Sequence, residues 1–256
     1  MYRNARPVDL ARWKYHFENG PAADVVEALC AYQNEDGGIG HAMEADSWNP
    51  NSTPLQCSTA VSVLTEIGCR DRDNPLVSGI LRYLDSEADF VDGRWLNTVA
   101  SNNDFPRAPW WSFDSSGSSR DEYNPTAILV GFVLEFAEKE SGLYRKGLSI
   151  AQELAEQLRS APTTDDHQLM CVVELLQAMG RTQLQDQFCL PPLFEIVRNQ
   201  ISELCRRNEG KWDGYCFRPS WFIKSPDNPF FEGNETILNE EFDYLLANRN
   251  PDGVWN

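Results

Sequence analysis

A short turn recurs in this chain and limits the folds open to it. A glycine precedes a bulky apolar residue by two positions in Gly37-Gly38-Ile39, Gly93-Arg94-Trp95, Gly210-Lys211-Trp212 and Gly253-Val254-Trp255. An acid stands immediately before that glycine each time: Asp36, Asp92, Glu209 and Asp252. The residue four before it is polar each time: Gln33, Asp89, Arg206 and Arg249. Each turn follows an apolar stretch with helical spacing. Recurrence of this kind marks a repeat architecture, and the wide gap between Gly93 and Gly210 implies a unit there that lacks the signature.

The units share a layout. The spacing predicts a first helix over Val25 to Tyr32, Pro75 to Leu84, Tyr144 to Leu158, Leu193 to Cys205 and Asn239 to Ala247. Leu148, Ala151, Ala155 and Leu158 make one apolar face, as do Phe194, Val197, Ile201 and Leu204. Glycine ends the helix because it accepts the left-handed conformation that closes it. A polar loop follows, then a second helix: Ser58 to Ile67, Ala127 to Glu138 after Asn124-Pro125-Thr126, and His167 to Met179 after Thr164 or Asp165. A further helix is expected from Val8 to Phe17. Nothing alternates with period two over a useful length, so no β-sheet is needed. One helix pair cannot bury its own apolar face, but stacked pairs can. The expectation is an all-α chain, residues 1–256 as one domain, stacked as an open solenoid or a closed ring. The loops from Asn97 to Tyr123 and Asp213 to Gly233 are long and aromatic, and loops of that length usually carry function.

Charge and cysteine usage narrow the partners. The formal net charge is −17, which repels phosphate backbones and anionic lipid, so neither nucleic acid nor stable membrane insertion is expected. Met1 to Leu10 has no signal-peptide core, and no apolar run is long enough for a span. The seven cysteines are odd in number and scattered, which suits reduced thiols and a cytoplasmic address. With no Cys-x-x-Cys pair and three histidines in all, neither metal nor other cofactor is expected.

Two of the turns carry a resemblance. Tyr32-Gln33-Asn34-Glu35-Asp36-Gly37-Gly38 and Asn250-Pro251-Asp252-Gly253-Val254-Trp255 resemble the QW repeats of squalene and oxidosqualene cyclases, which run Gln, three residues, Gly, one residue, Trp. The same repeat class occurs in protein prenyltransferase β subunits. Gln stands only in the first copy, and Trp only in the other three. The resemblance implies an α/α-toroid of about five helix pairs around a cavity, with the Gln side chain capping a neighbouring outer helix. Trp13-Lys14-Tyr15-His16-Phe17-Glu18 and Gly40-His41-Ala42-Met43-Glu44-Ala45-Asp46 are similar to uncharacterised bacterial proteins of that superfamily. The outer helix that should follow the last turn is absent. Either the chain is cut short there or Val8 to Phe17 fills that place.

Three constellations bear chemistry. Thr163-Thr164-Asp165-Asp166 matches the last two acids of the Asp-x-Asp-Asp motif of class II terpene cyclases, where the middle acid protonates an alkene; Asp165 and Asp166 are the catalytic candidates. Capping of the following helix accounts for the same residues. A prenyltransferase-like zinc set of Asp213, Cys216 and His167 fails on spacing, and His41, Glu44 and Asp46 read equally as a polar loop. The third is a set of loop aromatics and acids. Glu44, Asp46, Trp48, Trp110, Trp111, Asp114, Tyr123, His167, Asp213 and Trp221 are the candidate ligand-binding residues. The layout places inner helices before the loops and outer helices after them, so the loops gather at one mouth of the ring. Aromatic walls there stabilise carbocations or stack on sugars, and paired carboxylates cleave glycosides. The expected function is therefore terpenoid-cyclase-like binding of an apolar or isoprenoid-like small molecule in a central cavity. A carbohydrate-active enzyme on the same toroid and a non-catalytic repeat scaffold for a protein partner are the alternatives.

Overall fold

Pro7 opens the first helix at a position where its missing N–H costs nothing. In the computed structural model, which describes residues 2–116, 123–161, 163 and 165–251, this helix is α1 (Pro7–Phe17), followed by α2 (Ala22–Cys30), α3 (Pro54–Glu66), α4 (Pro75–Asp85) and α5 (Thr126–Phe136). Then come α6 (Gly142–Ser160), α7 (Asp166–Arg181), α8 (Gln185–Phe188), α9 (Leu190–Asn208), α10 (Pro219–Phe222) and α11 (Glu235–Ala247). The described residues are predominantly helical, and each helix expected from the spacing is present with ends shifted by a few residues. No described helix is long and apolar enough to cross a membrane. The chain forms two compact units, Met1–Ala151 and Gln152–Asn256.

In the first unit, α3 and α5 lie side by side. Thr53 caps α3 by accepting from Gln56 N–H, and Pro54 fills its first turn. Nine of the eleven residues of α5 are buried, and nine of the thirteen of α3. Helix α4 packs against both α2 and α5 and buries one stripe, Leu76, Val77, Ile80, Tyr83 and Leu84. The expected layout puts the helix before each loop on the inside. The helix after each loop is the more deeply buried one, because α5 is apolar on every side while α4 and α2 are apolar on one.

The second unit shows the same asymmetry. Helix α7 buries Leu169, Cys171, Val172, Val173, Leu175, Leu176 and Met179, whereas α9 buries a single stripe through Leu193, Val197, Ile201 and Leu204. The two helices pack together, and α10 touches α7, α9 and α11. Glu241 on α11 is fully buried, and its carboxylate accepts from Ser220 N–H (2.8 Å) and the Ser220 hydroxyl (2.6 Å), which closes the start of α10.

The recurring turns are compact. Gly37, Gly93 and Gly210 all take positive φ (94°, 80° and 69°), and the apolar residues two positions later, Ile39, Trp95 and Trp212, are buried. A Cβ on Gly37 would stand 2.2 Å from Gly79 O, so only glycine lets this turn lie against α4. Gln33 then reaches α4 itself: its amide donates to Gly37 O (2.9 Å) and to Leu76 O (3.1 Å). Around Gly93 the chain doubles back far enough for Phe90–Val91 to pair antiparallel with Arg94–Trp95, a two-residue ladder where no strand was expected. Gly253, Val254 and Trp255 lie outside the described residues, as does Thr164.

Candidate functional site

Two loops of the first unit come together. Ser47 and Arg107 form an antiparallel bridge, flanked by Ala108 N–H to Asp46 O (2.8 Å) and Trp48 N–H to Pro106 O (3.0 Å). This pairing brings Asp46 to the tryptophans. Its carboxylate accepts from the indole N–H of Trp110 (3.1 Å) and of Trp111 (2.5 Å). Trp48 donates its own indole N–H to Ala45 O at 2.9 Å. Each ring is thus fixed by its nitrogen edge, yet Trp110 and Trp48 remain 67% and 61% exposed. An indole held by its polar handle with its face in water is a platform for stacking.

Buried amides hold the platform in place. Gln56, fully buried on α3, accepts from Met43 N–H (2.9 Å) and donates to Asn49 O (3.0 Å). Asn49 donates to Asn102 Oδ1 (2.9 Å), and Asn102 donates to Trp111 O (3.0 Å). Both loops are therefore tied to one helix by a chain of satisfied polar groups, which rigidifies more than its separate bonds would. Arg6 adds bonds from Nη1 to Ala42 O and Met43 O, both 3.0 Å. His41 and Ala42 are left-handed (φ 57° and 60°), a conformation costing about 1–3 kcal/mol per residue that persists only where the surroundings over-determine it.

Glu44 completes the group. It is half-buried, and burial together with the nearby Asp46 charge pushes its carboxyl above the ordinary range, against a hydrogen bond from the Thr59 hydroxyl at 3.3 Å. Two carboxyls whose environments push their affinities for a proton apart are the raw material of acid–base chemistry. Glu44, Asp46, Trp48, Trp110 and Trp111 thus stand on one pair of joined loops.

The other candidates lie elsewhere. Asp114 is exposed and turned to Ser116, whose backbone N–H and hydroxyl hold its carboxyl below the ordinary range. Tyr123 is buried with the Arg94 guanidinium 3.9 Å from its ring centre, so its face is taken up within the protein. His41 faces Asn34 at 2.8 Å, away from any shared centre with Glu44 and Asp46. Asp213 is exposed. In the second unit His167 and Trp221 join a separate aromatic cluster with Tyr215 and Phe217. Asp165 caps α7, accepting from Gln168 N–H at 2.7 Å, and Asp166 pairs with Arg207 at 2.8 Å.

Sequence reasoning missed Gln56, Asn49, Asn102 and Phe217. The first of these had a signal, an amide in the otherwise apolar opening of α3. Compared with known proteins, the chain matches no family model, no curated protein and no solved structure.

Proposed function

We propose that the protein binds a sugar on the paired loops of its first unit. The observation that carries this reading is Asp46, whose carboxylate fixes two indole rings while the face of one, and of Trp48 nearby, stays open to water. Pyranose rings stack their C–H faces on such indoles, and carboxylates and amides at the rim bond their hydroxyls. The acidic surface favours a neutral ligand over an anionic one. Glu44, whose carboxyl is pushed above the ordinary range by burial and the Asp46 charge, suits a general acid at a glycosidic oxygen, with Asp46 as the second carboxylate of the kind of pair that glycosidases use.

A second reading keeps the terpenoid-cyclase-type α/α-toroid with an isoprenoid-like ligand in its cavity. It is supported by Gln33, which bonds the first turn of α4 as the resemblance implies for the repeat glutamine. On that reading the toroid and its cavity hold the ligand, and the loops only guard its mouth.

Calorimetric titration separates the two. Neutral oligosaccharides are expected to bind wild-type protein and to lose affinity by about tenfold or more in Trp110→Ala, in line with the stacking worth of one ring. Binding of farnesol that Trp110→Ala leaves unchanged, with no oligosaccharide binding, would replace the sugar reading with the isoprenoid one.

A further inference from the structure

The aromatic cluster of the second unit contains a tyrosine–histidine pair that the sugar reading does not use. Tyr215 is 79% exposed. Its hydroxyl lies 3.0 Å from His167 Nε2, and His167 Nδ1 lies 4.0 Å from Asp165 Oδ1. Asp165 is fixed by its cap on Gln168 N–H, and His167 is fixed by the edge of Phe217 at 4.7 Å between ring centres. Trp221 meets both Phe217 (5.0 Å) and Tyr215 (6.1 Å) edge-on, so the tyrosine ring has a wall on one side and solvent on the other.

The Asp165 carboxylate stands 4.0 Å from Nδ1, beyond hydrogen-bond reach, and its negative charge favours the tautomer with the hydrogen on Nδ1, which leaves the Nε2 lone pair toward the tyrosine hydroxyl. The hydroxyl then donates to His167. A base within hydrogen-bond reach of a hydroxyl is the arrangement by which enzymes activate weak nucleophiles.

We infer that Tyr215 is an acyl-accepting nucleophile, with His167 as its base and Asp165 as the positioning carboxylate. The donor is a neutral activated ester. The net charge of −17 disfavours anionic phosphoryl donors, and Trp221 supplies an apolar wall for the acyl or leaving group. In the step, the Tyr215 oxygen attacks the ester carbonyl carbon as its proton passes to Nε2 of His167. A tetrahedral adduct forms and collapses, the bond to the leaving oxygen breaks, and that oxygen takes the proton from His167. The products are an O-acyl tyrosine and a free alcohol, with no oxidant or reductant involved.

The test uses the full chain and p-nitrophenyl acetate. We expect a burst of p-nitrophenolate of one equivalent per chain, with the acetyl group mapped by peptide mass spectrometry to Tyr215. His167→Gln should slow the burst by about 100-fold, the worth of a general base. Asp165→Asn keeps the helix cap and should slow it by a smaller factor. Tyr2 serves as the internal reference: it is 63% exposed, and its hydroxyl meets the Glu18 carboxylate rather than a histidine. Far-UV circular dichroism of each variant separates lost fold from lost reactivity. Acetylation of Tyr2 as fast as Tyr215, or a Tyr215 rate unchanged in folded His167→Gln, would overturn the assignment.

Discussion

The first unit braces its aromatic residues from below, and the second lets them brace one another. Asp46, Trp110 and Trp111 rest on Gln56, Asn49 and Asn102, side chains buried in or against α3. His167, Tyr215, Phe217 and Trp221 hold each other by ring edges, tied to α7 through His167 itself and the Asp165 cap. A buried polar chain gives a rigid platform that loses much when one link is cut. Surface rings and a cap give a patch that tolerates change. The first arrangement suits recognition of a fixed shape, and the second suits a reactive group at the surface.

The largest effect should come from the feature common to both units. Trp95 and Trp212 are buried at equivalent points of their turns, and the indole nitrogen of each lacks an acceptor among the described residues, so their role is packing. Trp95→Ala and Trp212→Ala should each lower unfolding free energy in urea by about 3–5 kcal/mol. A loss well under 1 kcal/mol in either would mean that the two turns do not do the same structural work.

The braces differ next. Gln56→Ala leaves Met43 N–H and Asn49 C=O without their buried partner and should cost about 2–3 kcal/mol. Asp165→Ala removes only a cap and should cost about 1 kcal/mol. Equal losses, read from the same denaturation curves, would erase the contrast between platform and patch.

Proton linkage supplies a finer contrast. Burial and the Asp46 charge raise the Glu44 carboxyl, so the folded state holds this proton more tightly than the unfolded chain does. Stability from Glu44 is therefore present below the unfolded carboxyl pKa and falls as pH rises toward the raised value. Glu66 behaves oppositely. Burial raises its carboxyl, but Arg12 and His16 outweigh that and lower it, so its contribution is present above the unfolded pKa and lost as pH falls through the lowered one. In urea melts across the carboxylate range, Glu44→Gln should remove the decline with rising pH. A slope that survives the substitution would assign that decline to other groups.

The smallest stability effect should accompany the largest loss of binding. Trp110→Ala removes an exposed ring and should shift stability by no more than about 0.5 kcal/mol. A larger shift would make Trp110 a structural residue.

The helices were legible because apolar residues recur at three and four along α4, α6 and α9, and because Pro75 and Pro125 mark starts; α3 was expected only from Ser58, although it opens at Pro54. The layers were misread for a reason visible in α5. Thr126–Phe136 has apolar residues all round, a pattern of full burial, but the repeat layout alone assigned it to the outside. Glu44, Asp46 and the tryptophans were legible as loop residues that composition and core packing do not require. Their meeting was not, since the bridge at Ser47 and Arg107 pairs loops far apart in the sequence, and nothing local announces such pairing. Gln56 was passed over as a helix residue, although a buried amide in an apolar helix opening requires partners.

The most direct test of sugar recognition is the crystal structure of the protein with a neutral oligosaccharide bound. A pyranose ring should lie parallel to the Trp110 or Trp48 indole at van der Waals distance, about 4 Å, with a hydroxyl in reach of Glu44 or Asp46. Saccharide-free loops in the presence of a tightly held apolar ligand elsewhere would contradict it.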